Sequence, residues 1–305
     1  MICENENLTG LKYLECDGCL SITEIPYIEG LKQLYCDSCP LLTIIPNIEG
    51  LEILHCYNNP LLTIIPNIEG LQKLNCSYCS LLTNIPNIKG LKELICDNCP
   101  LLTTISNIKG LKEIYCSNNL SLTTIPNIEG LERLMCNNNP LLINIYNIIG
   151  LKQLYCPNCP LLTTIPNIKE LKQLDCSNCS LLTIIPNIEE LDTLICNNLS
   201  LTIVPNIKGL RVLICMSCPL LINIPYIKGL ERLTCFNCPL LMYIPKNITY
   251  NNYDRNLFKS PYKDCKYLTS KKIDVIYNNI YNLWKSYKLK KYALYLEKEY
   301  YSNPR

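Results

Sequence analysis

Histidine occurs once in these 305 residues, tryptophan once and phenylalanine twice. With His55 alone, a single Cys–His or Ser–His pair is the most the chain could assemble, which removes most hydrolase arrangements built on an imidazole base. Charged residues are also scarce, 18% against 48% hydrophobic, a balance that excludes disorder and leaves material for a continuous core. No apolar run approaches the roughly eighteen residues needed to cross a bilayer. The start, MICENENLTG, has neither a basic region nor an apolar segment, so a protein without a transmembrane span is expected, intracellular and by default cytoplasmic. No glycine-rich phosphate loop is present, and no cofactor is expected.

What the chain has instead is repetition. Units begin at Leu11, Leu31, Leu51, Leu71, Leu91, Leu111, Leu131, Leu151, Leu171, Leu191, Leu210 and Leu230, twenty residues apart except for one nineteen-residue unit after Leu191. Such a fixed short period is the signature of a solenoid, in which each unit packs only on its neighbours. The shared pattern is L-x-x-L-x-C-x-x-(C/N)-P-L-L-T-x-I-P-N-I-x-G, and positions 1 to 20 below refer to it. Asn7-Leu8-Thr9-Gly10 matches the close of a unit. The array therefore begins in mid-coil as a partial N-terminal coil over 1–10, and that uncapped edge is a place for weak self-association.

The pattern resembles that of leucine-rich repeat proteins, L-x-x-L-x-L-x-x-(N/C)-x-L, over residues 7–245. Its short period and Ile-Pro are similar to the compact repeats of bacterial effectors, and its Cys-x-x-Leu-Thr is similar to cysteine-containing repeats. The resemblance implies a right-handed coil with a parallel sheet on its concave face and a role in binding proteins. The bias towards Asn, Ile and Tyr adds the expectation of an AT-rich genome of the giant-DNA-virus kind.

The residues support the same architecture independently. In Leu151-Lys152-Gln153-Leu154-Tyr155-Cys156, period-two alternation turns Leu154 and Cys156 inward and Gln153 and Tyr155 outward, so each unit contributes one short strand. Twelve strands about 4.8 Å apart make a sheet of roughly 55 Å. Thr163, Thr164 and Ile165 are β-prone and Pro166 stops the segment, so the opposite wall is expected to be extended, without full helices. The core is then Leu151, Leu154, Cys156, Leu162, Ile165 and Ile168 with their counterparts. Gly150 suits the bend into the next coil, although Glu170 and Glu190 show that a positive φ is not required at every such bend.

Twenty-two cysteines, with eight Cys-x-x-Cys pairs such as Cys16/Cys19 and Cys156/Cys159, would in isolation suggest zinc or redox chemistry. Their register points elsewhere. The first cysteine falls at inward position 6 in all twelve units; position 9 is Cys in eight and is expected to be Asn in four, Asn59, Asn119, Asn139 and Asn198. The thiols are therefore expected to be reduced core and turn residues, and no metal site is expected. Cys265 lies outside the ladder, and a ligase-type Cys-x-Asp nucleophile is excluded by Tyr267. No catalytic residue is assigned.

The candidate binding site is position 5, which varies while the framework does not. Its members include Tyr35, His55, Ile95, Tyr115, Met135, Tyr155, Asp175 and Ile195, with Ile95, Tyr115, Met135 and Tyr155 forming an apolar middle. Exposed apolar columns mark protein contacts. Mixed charge at positions 2 and 3, as in Lys112, Glu113, Glu132 and Arg133, favours a protein partner over nucleic acid.

After Pro245 the period is lost. Residues 246–269 read as an irregular lead-in, and 270–305 as a helical, basic cap, with Ile273, Ile276, Tyr277, Ile280, Leu283, Trp284 and Tyr287 on one face. Basic residues number 15 against 21 acidic ones before Lys246, and 13 against 5 from it onward. The second candidate contact is therefore Trp284, Lys285, Tyr287, Lys288, Lys290 and Lys291, suited to a membrane surface, a calmodulin-like protein or nucleic acid. The spacing Ile280, Lys285, Lys290 is similar to calmodulin-binding IQ helices, with Tyr281 where those carry Gln.

Overall fold

The computed structural model describes residues 8–235 and 237–241. Residues 1–7, the lead-in over 246–269 and the basic segment with Trp284, Lys285, Tyr287, Lys288, Lys290 and Lys291 lie outside the described residues. Within them the chain is a parallel β-solenoid, and no helix occurs among the described residues.

Positions 3 to 5 of every coil form a three-residue strand, from Tyr13–Glu15 in the first to Arg232–Thr234 in the last, and the twelve strands join in one parallel sheet in chain order. Register is strict: Leu134 pairs with Leu154 and Leu154 with Leu174, so every position faces its own counterpart one coil on. The main-chain ladder is longer than the strands. In coil eight, Lys152 O accepts from both Lys172 N (2.8 Å) and Gln173 N (3.1 Å), and Cys156 N donates to Asp175 O (2.8 Å). Asn158 N then donates to Ser177 O (2.8 Å), carrying the pairing to position 8.

The opposite wall is extended, as expected from its threonines and prolines. It pairs intermittently: Asn84–Ile85 with Thr104–Ile105, Thr124–Ile125 with Asn144–Ile145, and single bridges at Glu24/Ile44 and Ile203/Asn223. Pro166 and its counterparts remove a donor just past this segment, though the two-residue strands before Ser106 and Tyr146 are as short without it.

Between the two walls runs a single core. Leu151, Leu154, Cys156, Cys159, Leu162, Ile165 and Ile168 are all buried, and the same seven positions are buried in nearly every coil. Each buried aliphatic stabilises by roughly 1.5–3 kcal/mol relative to exposure. At the N-terminal end the burial weakens: Leu8, Leu11, Cys16, Cys19 and Ile22 are only partly covered.

Two bends close each coil. The one at position 20 has positive φ at Gly30 through Gly150 and again at Gly229 (φ 95°), but not at Glu170, Glu190 or Gly209, so coils eight to ten close differently there. The other, at position 8, is left-handed in every coil from Gly18 (φ 69°) onward, and in most coils the residue is Asn, for example Asn158 (φ 59°). Asparagine is one of the few non-glycine residues that adopts this conformation at little cost. Its amide is used as well: Asn138 Nδ2 donates to Asn118 Oδ1 (2.8 Å), Asn158 to Asn138 (2.7 Å) and Asn178 to Asn158 (2.8 Å).

The structure corrects the expected ladder in the nineteen-residue coil. Asn198 is not at position 9: it has φ 54°, is exposed, and continues the position-8 amide row by donating to Asn178. Position 9 is the fully buried Leu199, and the missing residue is the exposed one at position 11. Keeping the left-handed asparagine and deleting a residue from the surface leaves the hydrogen-bonded turn intact.

Candidate functional site

Position 9 shows what the paired cysteines do. Asn119 Nδ2 donates to Cys96 O and Cys116 O (both 3.0 Å), while its Oδ1 accepts from Cys99 N (2.7 Å). Asn59 and Asn139 bridge the position-6 carbonyls of their own and the preceding coil in the same way. Where the residue is Cys, the thiol reproduces one of these bonds: Cys159 Sγ donates to Cys136 O and Cys179 Sγ to Cys156 O, both at 3.2 Å. A position-9 thiol therefore has its donor committed to the backbone of the coil before it.

Eighteen of the twenty described cysteines are buried, and Cys16 and Cys19 are partly so. Burial pushes the thiols of Cys96, Cys116, Cys136 and Cys176 well above their ordinary range, and those of Cys99 and Cys159 to about 12. Thiolate is the nucleophile and the metal ligand, so burial suppresses both activities at these thiols, whereas hydrogen bonds with a neighbouring cysteine draw Cys79 and Cys179 down and Cys238 to about 7. No group of three or more His, Cys, Asp or Glu side chains is placed to hold a metal ion among the described residues.

Position 7 forms a further ladder that caps the turn. Asp17 Oδ1 accepts from Asp37 N, and Asp37 Oδ1 from Tyr57 N, both at 2.7 Å. Ser77, Ser117 and Ser177 Oγ accept from the next coil in the same way.

The sheet's outward face carries the candidate column. Tyr35, His55, Asn75, Ile95, Tyr115, Met135, Tyr155, Asp175, Ile195 and Ile214 follow one another through consecutive strand pairs, each half-buried. At its N-terminal end three rings lie against each other, Tyr13 to Tyr35 at 5.4 Å and Tyr35 to His55 at 4.7 Å between centroids. Tyr13 also donates to the Glu15 carboxylate, which holds its hydroxyl up at about 12.

In the middle of the column the sequence reading needs revision, because it is amphipathic and not simply apolar. Tyr115 Oη donates to Glu113 Oε2 (2.7 Å), and Arg133 Nη1 reaches both Glu113 Oε2 (3.2 Å) and Tyr115 Oη (3.0 Å). Arg133 Nε continues to Gln153 Oε1 (2.6 Å), Gln153 Nε2 to Gln173 Oε1 (3.1 Å), and Tyr155 Oη donates to that same Gln173 oxygen. Both tyrosines are thereby held in a polar chain crossing four coils. The surrounding charges are paired from coil to coil: Lys112 and Lys152 both contact Glu132 (3.0 and 2.6 Å), drawing its carboxyl down to about 2, and Arg211 holds Glu231 with two bonds. Such exposed pairs add little stability each, about 0–1 kcal/mol, but they leave the face without a field of one sign.

No protein-family model matches the chain, and no curated protein is similar to it. Among solved structures the chain is similar to a leucine-rich repeat protein from Bacteroides ovatus ATCC 8483, at 13% identity and a TM-score of 0.29, over 72% of this chain and 76% of that one. The class of this protein is set by its own coils: one short parallel strand, a Cys/Asn turn ladder and a continuous leucine core per twenty residues, a leucine-rich-repeat-like solenoid.

Proposed function

We propose that the protein is a non-catalytic interaction scaffold whose twelve-stranded sheet recognises a protein partner, centred on coils five to eight. The observation that carries this reading is the contrast between a framework repeated almost unchanged and a column of half-buried side chains in register that changes identity at nearly every step. Tyrosine and arginine are the residue types on which binding energy concentrates in protein interfaces. Tyr115, Arg133 and Tyr155 are already ordered by their hydrogen bonds, so less conformational entropy is lost when a partner binds. The paired, mixed charge favours a protein over nucleic acid on this face. An intracellular setting, which keeps the thiols reduced, belongs to this proposal. A giant-DNA-virus origin rests on residue bias alone.

Replacing Tyr115 and Tyr155 together by Ala should leave the fold unchanged by circular dichroism and weaken capture of the partner from native-host extract by about 100-fold. Unchanged capture would contradict the sheet-face reading. The basic segment gives the second reading, favoured by the excess of 13 basic over 5 acidic residues from Lys246 onward. Under it, capture survives the tyrosine substitutions, falls steeply with salt, and is lost when Lys285, Lys288, Lys290 and Lys291 become Gln.

A further inference from the structure

Among the described residues, the wall opposite the sheet is the least charged surface. From Pro40 to Ile227, positions 10 to 18 of every coil contain no Asp, Glu, Lys, Arg or His. In these coils the charge lies on the sheet face and at the adjoining bends, and Glu24 of coil one is the exception on the wall among the described residues. Position 11 puts a leucine on this wall in coils two to five, Leu41, Leu61, Leu81 and Leu101, and again at Leu141, Leu161 and Leu181, each 38–45% exposed. In coil six the order is reversed, with Ser121 at position 11 and Leu120 at position 10, 55% exposed. Beside this row stand Ile44, Ile64, Ile184 and Ile203, more than half exposed.

An interface core is distinguished from ordinary surface mainly by its lack of charged residues, and a monomer rarely leaves so long an apolar row open to water. These twelve side chains at about half exposure offer on the order of 800 Å² of apolar surface, which is what each partner contributes to a standard interface. The pitch narrows the choice of occupant. The leucines recur once per coil in strict register, and a surface that meets each of them equivalently must repeat with the same spacing. This protein's own wall does so. From coil two to coil nine the row is leucine in all but coil six, unlike the sheet column, so the same patch is available on both copies, as a two-fold interface requires.

We propose that two copies of this chain pack side by side through the leucine rows of their uncharged walls, leaving both sheet faces free. The test is the molar mass of the full-length, reduced protein by light scattering across a concentration series. The wild type should approach twice the 34.9 kDa of one chain at about 10 µM. Leu61→Ser, Leu81→Ser and Leu101→Ser combined copy what coil six already carries at Ser121 and should keep the fold while raising the dissociation constant at least about 100-fold. Tyr115→Ala with Tyr155→Ala should leave the dimer intact, which separates this idea from the sheet-face reading. A wild type that stays monomeric to about 100 µM, or a dimer indifferent to the serine substitutions, overturns it. So does binding of the wild type to phosphatidylcholine/phosphatidylserine vesicles that the serine variant loses, since the wall would then be facing lipid.

Discussion

Leu154→Asp should cost more than about 4 kcal/mol and divide the solenoid at its centre. Leu154 is completely buried and sits between Leu134 and Leu174 in the sheet, with Leu151, Leu162 and Ile165 filling the same coil. The substitution removes an aliphatic side chain and places a carboxylate where no described cation can reach it. Because each coil contacts only its neighbours, the damage falls on coils seven to nine, and the halves on either side retain their own contacts. Urea unfolding followed by circular dichroism should therefore change from one steep transition to two shallower ones. A single transition shifted by less than about 1 kcal/mol would mean that position 4 is not the core.

Asn119→Ala should be nearly as harmful despite removing only a few atoms. It strands the carbonyls of Cys96 and Cys116 and the amide of Cys99, three buried groups now served by one side chain. An unsatisfied buried group costs about 1–3 kcal/mol, so a loss of roughly 3–5 kcal/mol is expected after partial relaxation. Asn119→Cys should restore a good part of it, because the thiols at Cys159 and Cys179 make the bond to the preceding coil's carbonyl. The order Asn, then Cys, then Ala in urea midpoints is the check; Cys and Ala behaving alike would remove the thiol from its hydrogen-bonding role.

The two walls were legible in the sequence because they follow from period alone. Alternation about Leu154 located the strand, and Thr-Thr-Ile-Pro located an extended wall too short for a helix. The inward cysteine at position 6 followed from the same alternation. The left-handed bend at position 8 left a signal as well, the run Asn98, Asn118, Asn138, Asn158 and Asn178, but it stands beside the cysteines and is masked by them. Asn198 was misplaced for the same reason. A gap in a repeat can be aligned by letter in two ways, and only the requirement for φ near 54° at Asn198 decides between them.

The sheet column was legible as a row of outward residues, whereas its polar cross-links were not. Whether Tyr115 meets Glu113 and Arg133, or Tyr155 meets Gln173, depends on diagonal reach across strands and on rotamers that sequence spacing does not specify. The leucines at position 11 escaped for the opposite reason. Each stands next to the leucine at position 12 that the sequence does assign to the core, as at Leu162, but the repeat alone gives its neighbour Leu161 no face until the turn hydrogen bond from Leu162 N to Cys159 O and the exposure of Leu161 place it outside.

The central claim is that the sulfur of this chain is architecture. It is tested most directly by counting reactive thiols on reduced protein with a small alkylating reagent at neutral pH, before and after denaturation, alongside a metal assay. The account predicts that, of the twenty described cysteines, only Cys16 and Cys19 are labelled in the native protein within minutes, that all twenty-two cysteines react once the chain is unfolded, and that no stoichiometric metal accompanies it. Rapid labelling of Cys96, Cys156 or their counterparts in a folded protein, or about one zinc per pair of Cys-x-x-Cys motifs, would contradict it.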